Sequence, residues 1–374
     1  MCIFDAVKTL STPQGARKAG FIRQLSQVLA PPQALEYWTR RLQPGGLPGR
    51  ARVVARRRES ADAVSLVLRP GRGWGGFRPG QHVNIGAEIN GRRITRSYSL
   101  TEVPRLDGRV TITVRKTAGG KLSPHLFDHV AVGDLLHIGP AYGEMTLPAA
   151  HDAPWLFLAA GSGITPLIAM TRELAAQAMP VPLALLYWAR HRDELCFVEE
   201  LRALAITHSD FAVHFLLTGE AAAAADEGEG RIDVAQLAAL IPDLAQRRVF
   251  ACGPGAFVAA TRTLVAPNAR AFECEAFTPP LIVDDSDATG TVQVTLAASQ
   301  RTLTLPRGGS LLDALEAAGL KPASGCRMGI CNSCACGKRS GSTRHLHTGE
   351  LQHEPVSALR LCVNRAASDL ILDL

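Results

Sequence analysis

No apolar run in this 374-residue sequence reaches the roughly 18 residues a membrane-spanning helix needs, and no charged-then-apolar leader opens it. Aromatic residues make up only 5% of the chain, and no recognised nucleic-acid-binding motif accompanies its net charge of +6, which argues against a nucleic-acid partner. No internal repeat and no haem motif can be read. Acidic residues are scarce at the start: over residues 1–58 only Asp5 and Glu36 stand against eleven Lys/Arg. Such a basic extension is either a solvated surface or an attraction to anionic lipid or an acidic partner. Cysteine is not scarce. There are nine, an odd number, and the clustered ones stand too close together for a disulfide framework. That favours a reducing compartment and metal-binding thiols, so the expected location is cytoplasmic.

The length suits two or three domains. Residues 1–46 read as short helices broken by Pro and Gly, a basic helical extension without a core of its own. Over 47–150 the pattern is one of short alternating stretches separated by turn residues (RARVVARR, AVSLVLRP, QHVNIGAEI, RRITRSYSL, RVTITVRK), which predicts an antiparallel β-barrel or sandwich. Over 151–280 buried-strand runs such as PWLFLAAG and VPLALLYWAR alternate with helical segments such as TPLIAMTRELAAQ and DELCFVEELRALA. This predicts an α/β domain with a parallel sheet and ligands at the strands' carboxyl ends. An acidic linker at 281–290 leads into 291–374, where a hairpin (VQVTLAA, RTLTL) and a short helix (SLLDALEAAG) precede a cysteine loop, an α+β arrangement.

That loop, CRMGICNSC, carries Cys326, Cys331 and Cys334 in the spacing C-x4-C-x2-C, and Cys362 follows after 27 intervening residues. Thiolates suit zinc or iron–sulfur, but zinc sites bring paired hairpins, and here the fourth cysteine is unpaired. The spacing is that of plant-type [2Fe–2S] ferredoxins, so these four are the expected metal ligands of one cluster. Gly325 and Gly329 let the backbone turn N–H groups toward anionic sulfur. Cys336 is read as a bystander, and His345, His347 and His353 as loop residues.

RSYSL at 96–100 and GKLSPHL at 120–126, with FRPGQHV upstream, resemble the R-x-Y-S and G-x-x-S motifs of the ferredoxin–NADP reductase family. The resemblance implies that Arg96 meets a flavin phosphate, Tyr98 packs on the isoalloxazine and Ser99 hydrogen-bonds near its reactive nitrogen. Gly120, Lys121, Leu122 and Ser123 would cradle the pyrophosphate at a helix start, where free N–H groups favour anions. Ile112, Thr113, Val114 and Arg115 would add backbone contacts from the adjoining strand, and Ser97 completes the flavin set. FAD is expected; R-x-Y-S occurs with either flavin, so FMN is the alternative.

GSGITP at 161–166 follows a buried strand and opens a helix, a phosphate-binding geometry in which Gly161 and Gly163 allow close approach. It lacks the third glycine of a dinucleotide fingerprint. By the same resemblance Ser162 lies near nicotinamide or flavin, Thr165 and Gly253 are cofactor-binding, and Cys252 of CGPG stands beside the nicotinamide. Glu275 and Phe277, in FECEAF, lie near the flavin face. Ser99, Cys252 and Glu275 are thus the expected catalytic residues, although a buried core thiol is the alternative for Cys252. The strand ending in WARHRDE carries Arg190 where an acid would hold the ribose of NAD, with Arg192 close by. Arg231 matches a family position for the same phosphate, so NADPH is expected over NADH.

The order flavin, nucleotide, ferredoxin (an antiparallel β-barrel, an α/β parallel-sheet domain and an α+β β-grasp domain) is similar to that of reductase components that feed bacterial oxygenases. CRMGIC, its CAC neighbour and the N-terminal extension look closest to reductase partners of membrane fatty-acid desaturases. The ferredoxin segment departs from the photosynthetic pattern, with nine Lys/Arg against six Asp/Glu over 290–374. The expectation is a monomeric NADPH-dependent reductase passing electrons through FAD and a [2Fe–2S] cluster to a separate oxygenase or desaturase, with peripheral attachment at the inner membrane surface. The alternatives are the reductase of a soluble aromatic-ring or other monooxygenase, a flavin reductase acting on a small molecule, and a redox-sensing iron–sulfur flavoprotein.

Overall fold

The alternating stretches after residue 49 become six antiparallel strands: β1 (Arg50–Arg58), β2 (Ala63–Pro70), β3 (His82–Ile89), β4 (Arg92–Ser99), β5 (Val110–Arg115) and β6 (Leu135–Tyr142). Their order is β4-β3-β6-β1-β2-β5, and a bridge from Leu100, just after β4, to Ile112 of β5 joins the two edges into a barrel. Val53, Leu66, Val83, Ile85, Ile112 and Val114 fill the interior, the face that period-two alternation assigns to them. Helix α1 (Leu122–Asp128) caps one end with Leu122 and Leu126 buried. This structure is a computed structural model that describes residues 49–277, 289–346 and 348–374. The basic extension at 1–46, most of the expected linker and His347 lie outside the described residues.

The second domain is a six-stranded parallel sheet of order β10-β9-β8-β7-β11-β12. Its strands are β7 (Trp155–Ala160), β8 (Leu183–Ala189), β9 (Phe211–Leu217), β10 (Glu227–Glu229), β11 (Arg248–Gly253) and β12 (Ala271–Ala276). Strands β7 and β8 are buried along their whole length because helices cover both faces, so they read as continuous apolar runs. Helices α2 (Ile164–Ala176), α3 (Val198–Thr207), α4 (Val234–Leu240) and α5 (Gly255–Val265) connect them. The sequence predicts α3 from Asp193. The helix begins only at Val198, because Phe197 takes a left-handed conformation (φ 62°) and closes off the turn before it. The short edge strand β10 has no apolar signal and was not foreseen. The chain runs outward from β7 through β9 and then returns to place β11 on β7's other side, so the switch point lies between β7 and β11.

The third domain joins β13 (Thr291–Leu296) and β14 (Arg301–Pro306), the expected hairpin, to β20 (Leu370–Leu372), β15 (Ala335–Ser340) and β18 (Val356–Arg360). A small sheet of β17 (Leu351–Gln352), β16 (Thr343–His345) and β19 (Asn364–Ala366) lies beside it. Helix α6 (Leu311–Ala317) is capped by Ser310, whose hydroxyl accepts from the Asp313 N–H, and it buries Leu311, Leu312 and Leu315 against this sheet.

At the switch point two chain segments nearly touch. A β-carbon on Gly163 would stand 1.9 Å from the Cys252 carbonyl oxygen, an approach that only glycine permits. Because the obstacle is backbone in a central strand, Gly163→Ala should destabilise the protein by at least the ~1–3 kcal/mol typical of overpacking. A thermal melt with no lowering of Tm would contradict this reading.

Candidate functional site

A cavity of about 680 Å³ opens where the three domains meet. The barrel supplies Arg96, Ser97, Tyr98 and Ser99 at the end of β4, Thr113 and Arg115 from β5, and Gly120–Ser123 at the start of α1. Ser162, Thr165 and Phe277 come from the second domain, and Cys326, Arg327, Met328 and Glu316 from the third. The side chains of Ile112 and Val114 face the barrel core, as alternation requires, so only their backbone is available to the cavity, the kind of contact expected of them.

Four side chains from both larger domains form a hydrogen-bonded series at its back. Glu275 Oε2 lies 2.6 Å from His82 Nε2, and His82 Nδ1 lies 3.1 Å from Ser99 Oγ. The Thr165 hydroxyl contacts Ser99 Oγ at 3.1 Å and the Ser162 carbonyl at 2.9 Å. Ser99 and His82 are register partners on β4 and β3, and both are buried. His82 is the member that the sequence reading missed. It stands in FRPGQHV and in the strand QHVNIGAEI, which read as motif and alternation and do not single out this histidine. Nothing local says that residue 275, so far along the chain, meets it.

Arg96 lines the cavity and donates to the Thr95 carbonyl at 2.8 Å; burial, and then the nearby Arg327 guanidinium, push its pKa down. Burial pushes the Tyr98 phenol up, which keeps that ring neutral. Arg115 is engaged differently. It bridges Asp62 of the barrel and Glu194 of the second domain, each at 2.5 Å, and tethers the two.

A second cavity, also about 680 Å³, lies along the carboxyl ends of β7 and β8, with Gly161, Arg190, Arg231, Trp188, Pro254 and Phe257 among its walls. Arg190 and Arg231 are both exposed at its rim. Arg192 is not available there: it forms a two-pronged ion pair with Glu227 at 2.7–2.8 Å, which pulls the Glu227 pKa down to about 2. Arg115 lines both cavities and marks their junction. Gly253 ends β11 beside this rim. The Cys252 thiol lines neither cavity. It is fully buried, 3.8 Å from the Met145 sulfur, and burial holds its pKa well above that of a free thiol. Strand β11 is covered on both faces, and that is why the core-thiol alternative describes its side chain.

The four predicted thiols come together as two pairs. Cys326 and Cys331 are joined by reciprocal backbone N–H contacts to each other's sulfur, and Cys334 and Cys362 pack together in the third domain's core. Among the described residues no three His, Cys, Asp or Glu side chains converge on one ion-sized point. Two-and-two is the demand of a two-iron cluster, whereas zinc gathers four ligands around one centre. Backbone N–H groups already turn to sulfur: Cys326 donates to Cys331 Sγ at 3.2 Å, Met328 to Cys326 Sγ at 3.3 Å and Cys331 to Cys326 Sγ at 3.4 Å. Within the pairs, bonding to the partner thiol pulls Cys331 and Cys334 down and holds Cys326 and Cys362 up. Cys336 sits on β15 in the hydrophobic core, and burial pushes its thiol up to about 12. His345 accepts from the Thr348 N–H and His353 pairs with Ser342.

Comparison with known proteins agrees with this division. Residues 50–146 match the oxidoreductase FAD-binding domain, residues 157–263 the oxidoreductase NAD-binding domain and residues 294–366 the 2Fe-2S iron-sulfur cluster binding domain. An NADPH oxidoreductase of Mycobacterium tuberculosis is 34% identical over 331 residues, covering 87% of this chain and 84% of that protein. The ferredoxin reductase component of 3-ketosteroid-9-alpha-monooxygenase from the same species is 31% identical over 313 residues, 79% of this chain and 84% of that one. In fold, phthalate dioxygenase reductase superposes with a TM-score of 0.56 at 23% identity, over 87% of this chain and 97% of that one. Paired thiols, a three-walled cavity and these matches lead to one conclusion: the chain belongs to the family of electron-transfer oxidoreductases that bind FAD, a pyridine nucleotide and one [2Fe–2S] cluster in a single polypeptide.

Proposed function

We propose that this protein takes electrons from NADPH and delivers them through FAD and the [2Fe–2S] cluster to a separate oxygenase. The observation that carries this reading is a single cavity walled by all three domains, with Ser99 and Tyr98, Ser162 and Thr165, and Cys326 and Met328 around it. Nicotinamide supplies two electrons as hydride, a flavin takes them together and releases them singly, and the cluster relays one at a time. The chain's own residues would bind and orient. Arg96 and the N–H groups of Lys121–Ser123 would hold the flavin phosphates, and Tyr98 and Phe277 line the part of the cavity that would take its ring. Ser99, fixed by His82 and Thr165, presents its hydroxyl to the reactive nitrogen. Glu275 holds His82 from the other side, so the proton that must leave once both electrons have passed on singly would have a buried route from Ser99 through His82 to Glu275. Gly161, Ser162 and Gly163 receive the nucleotide, the Gly253 backbone approaches it, and Cys252 supports that backbone from the core. Cys326, Cys331, Cys334 and Cys362 ligate the cluster.

The oxygenase acceptor is supported by the relative that serves a ketosteroid monooxygenase. A second reading, a membrane fatty-acid desaturase as acceptor with the reductase held at the membrane surface, rests on the basic residues 1–58. Truncation near Gly46 separates them. For a membrane acceptor, the shortened protein should reduce a small dye at an unchanged rate yet serve desaturase-containing membranes poorly at low salt. Raising the salt should narrow the gap, because the Debye length falls from about 10 Å at 0.1 M to about 3 Å at 1 M. An unchanged rate with a reconstituted monooxygenase, and no membrane effect, would favour the first reading.

Nucleotide choice is testable at the rim. Arg190→Ala should raise KM for NADPH more than for NADH, losing about 1.5–3 kcal/mol of a charge-assisted contact that only the 2′-phosphate makes. Equal losses with both nucleotides would move the phosphate site to Arg231.

The ligand set has its own check. Cys331→Ser should abolish cluster absorbance while bound flavin remains, and Cys336→Ser should leave iron content unchanged. Loss of iron in the second variant would show that the wrong fourth thiol had been chosen.

A further inference from the structure

Behind the cluster loop, three polar side chains line up across adjacent barrel strands. Asn84 on β3 and Ser97 on β4 are register partners, and Tyr142 ends the neighbouring strand β6 opposite His82. Asn84 follows His82 by two residues, so both side chains project from the same face of the strand. The Tyr142 hydroxyl bonds Ser97 Oγ and donates to Asn84 Oδ1 at 3.1 Å. This fixes the Asn84 amide with its nitrogen toward the third domain. A β-carbon on Gly325 would lie 3.3 Å from Asn84 Nδ2 and 2.9 Å from Cys331 Sγ. Glycine at 325 is therefore pressed between a barrel side chain and a cluster thiol. The Tyr142 phenol also lies within electrostatic reach of Cys326, Cys331 and Glu275, so all three domains meet around it.

We propose that Tyr142 and Asn84 are positioning residues for the internal electron step: they seat the Gly325–Cys326 backbone on the barrel and so fix the cluster against the flavin cavity. Neither residue lines that cavity, whereas Cys326 and Met328, carried by the seated loop, do. The contacts are made by neutral groups. A hydroxyl locks the amide, and the amide meets backbone with no side chain to displace. Such a seat costs little desolvation and, unlike an ion pair, holds equally well at high salt. The proposal needs only that electrons pass from flavin to cluster and holds whatever protein receives them.

The test uses the full chain with its cofactors and two artificial acceptors. An acceptor still reduced by the Cys331→Ser variant draws from the flavin, and one no longer reduced draws through the cluster. Tyr142→Phe, which keeps the ring and removes the hydroxyl, should leave the flavin-level rate and the iron content unchanged. Its cluster-level rate should fall about threefold to tenfold, the effect of one hydrogen bond on the seated population. Amide hydrogen exchange over residues 325–331 should quicken in the same variant. Asn84→Leu should reproduce the split and decides the matter if Tyr142→Phe accumulates poorly. Equal falls at both levels, no fall at either, or loss of iron would each overturn the proposal.

Discussion

The contact on which this structure depends is the buried series Glu275–His82–Ser99–Thr165. It ties the barrel to the parallel sheet where both reach the shared cavity. Hydride transfer tolerates little error in position, so two separately folded domains must be locked together at the reacting end. Polar side chains serve here because both His82 nitrogens and the Ser99 and Thr165 hydroxyls find partners. A half-satisfied network at this depth would cost more than an apolar contact. Arg115, paired with Asp62 and Glu194, repeats the tie a short distance away, and Arg172 adds a third with Glu200 and Glu102.

From that junction the cofactor geometry follows. The switch point between β7 and β11 leaves the carboxyl ends of both strands open, and the approach of Gly163 to the Cys252 carbonyl narrows the crevice to backbone thickness. The barrel presents β4 and the start of α1 to the same opening. The third domain brings a loop whose N–H groups already point at sulfur, so a cluster's negative charge meets donors that need no rearrangement. Two-electron and one-electron chemistry can then share one cavity, because the domains that hold each carrier all contribute to its walls.

Much of this was legible in the residues. Apolar runs of four to eight residues marked β7, β8 and β11, and alternation marked the barrel strands, because burial on two faces or on one leaves a direct imprint on sequence. The C-x4-C-x2-C spacing marked three candidate ligands, since a tight loop brings such thiols together locally. Less legible were the start of α3, set by one left-handed residue at Phe197, and the edge strand β10, whose residues Glu227–Glu229 carry no apolar signal. Arg192, placed near the nucleotide phosphate by adjacency in sequence, is instead bound to Glu227, a partner 35 residues away. The Cys252 thiol was read with its motif, while the structure buries it against Met145.

The sequence alone pointed to the carriers this protein can hold, because thiol spacing and phosphate-binding turns are local properties of the chain and RSYSL with GKLS resembles a flavin-binding family. Only the tertiary structure decided how those carriers are joined. His82 acquires its part from Glu275, 193 residues distant, and Asn84 meets a glycine loop of another domain. Such contacts leave no periodicity and no spacing, since they depend on the docking of surfaces that fold independently. What the chain binds is written in short stretches; the order and closeness of transfer arise where those stretches are packed together.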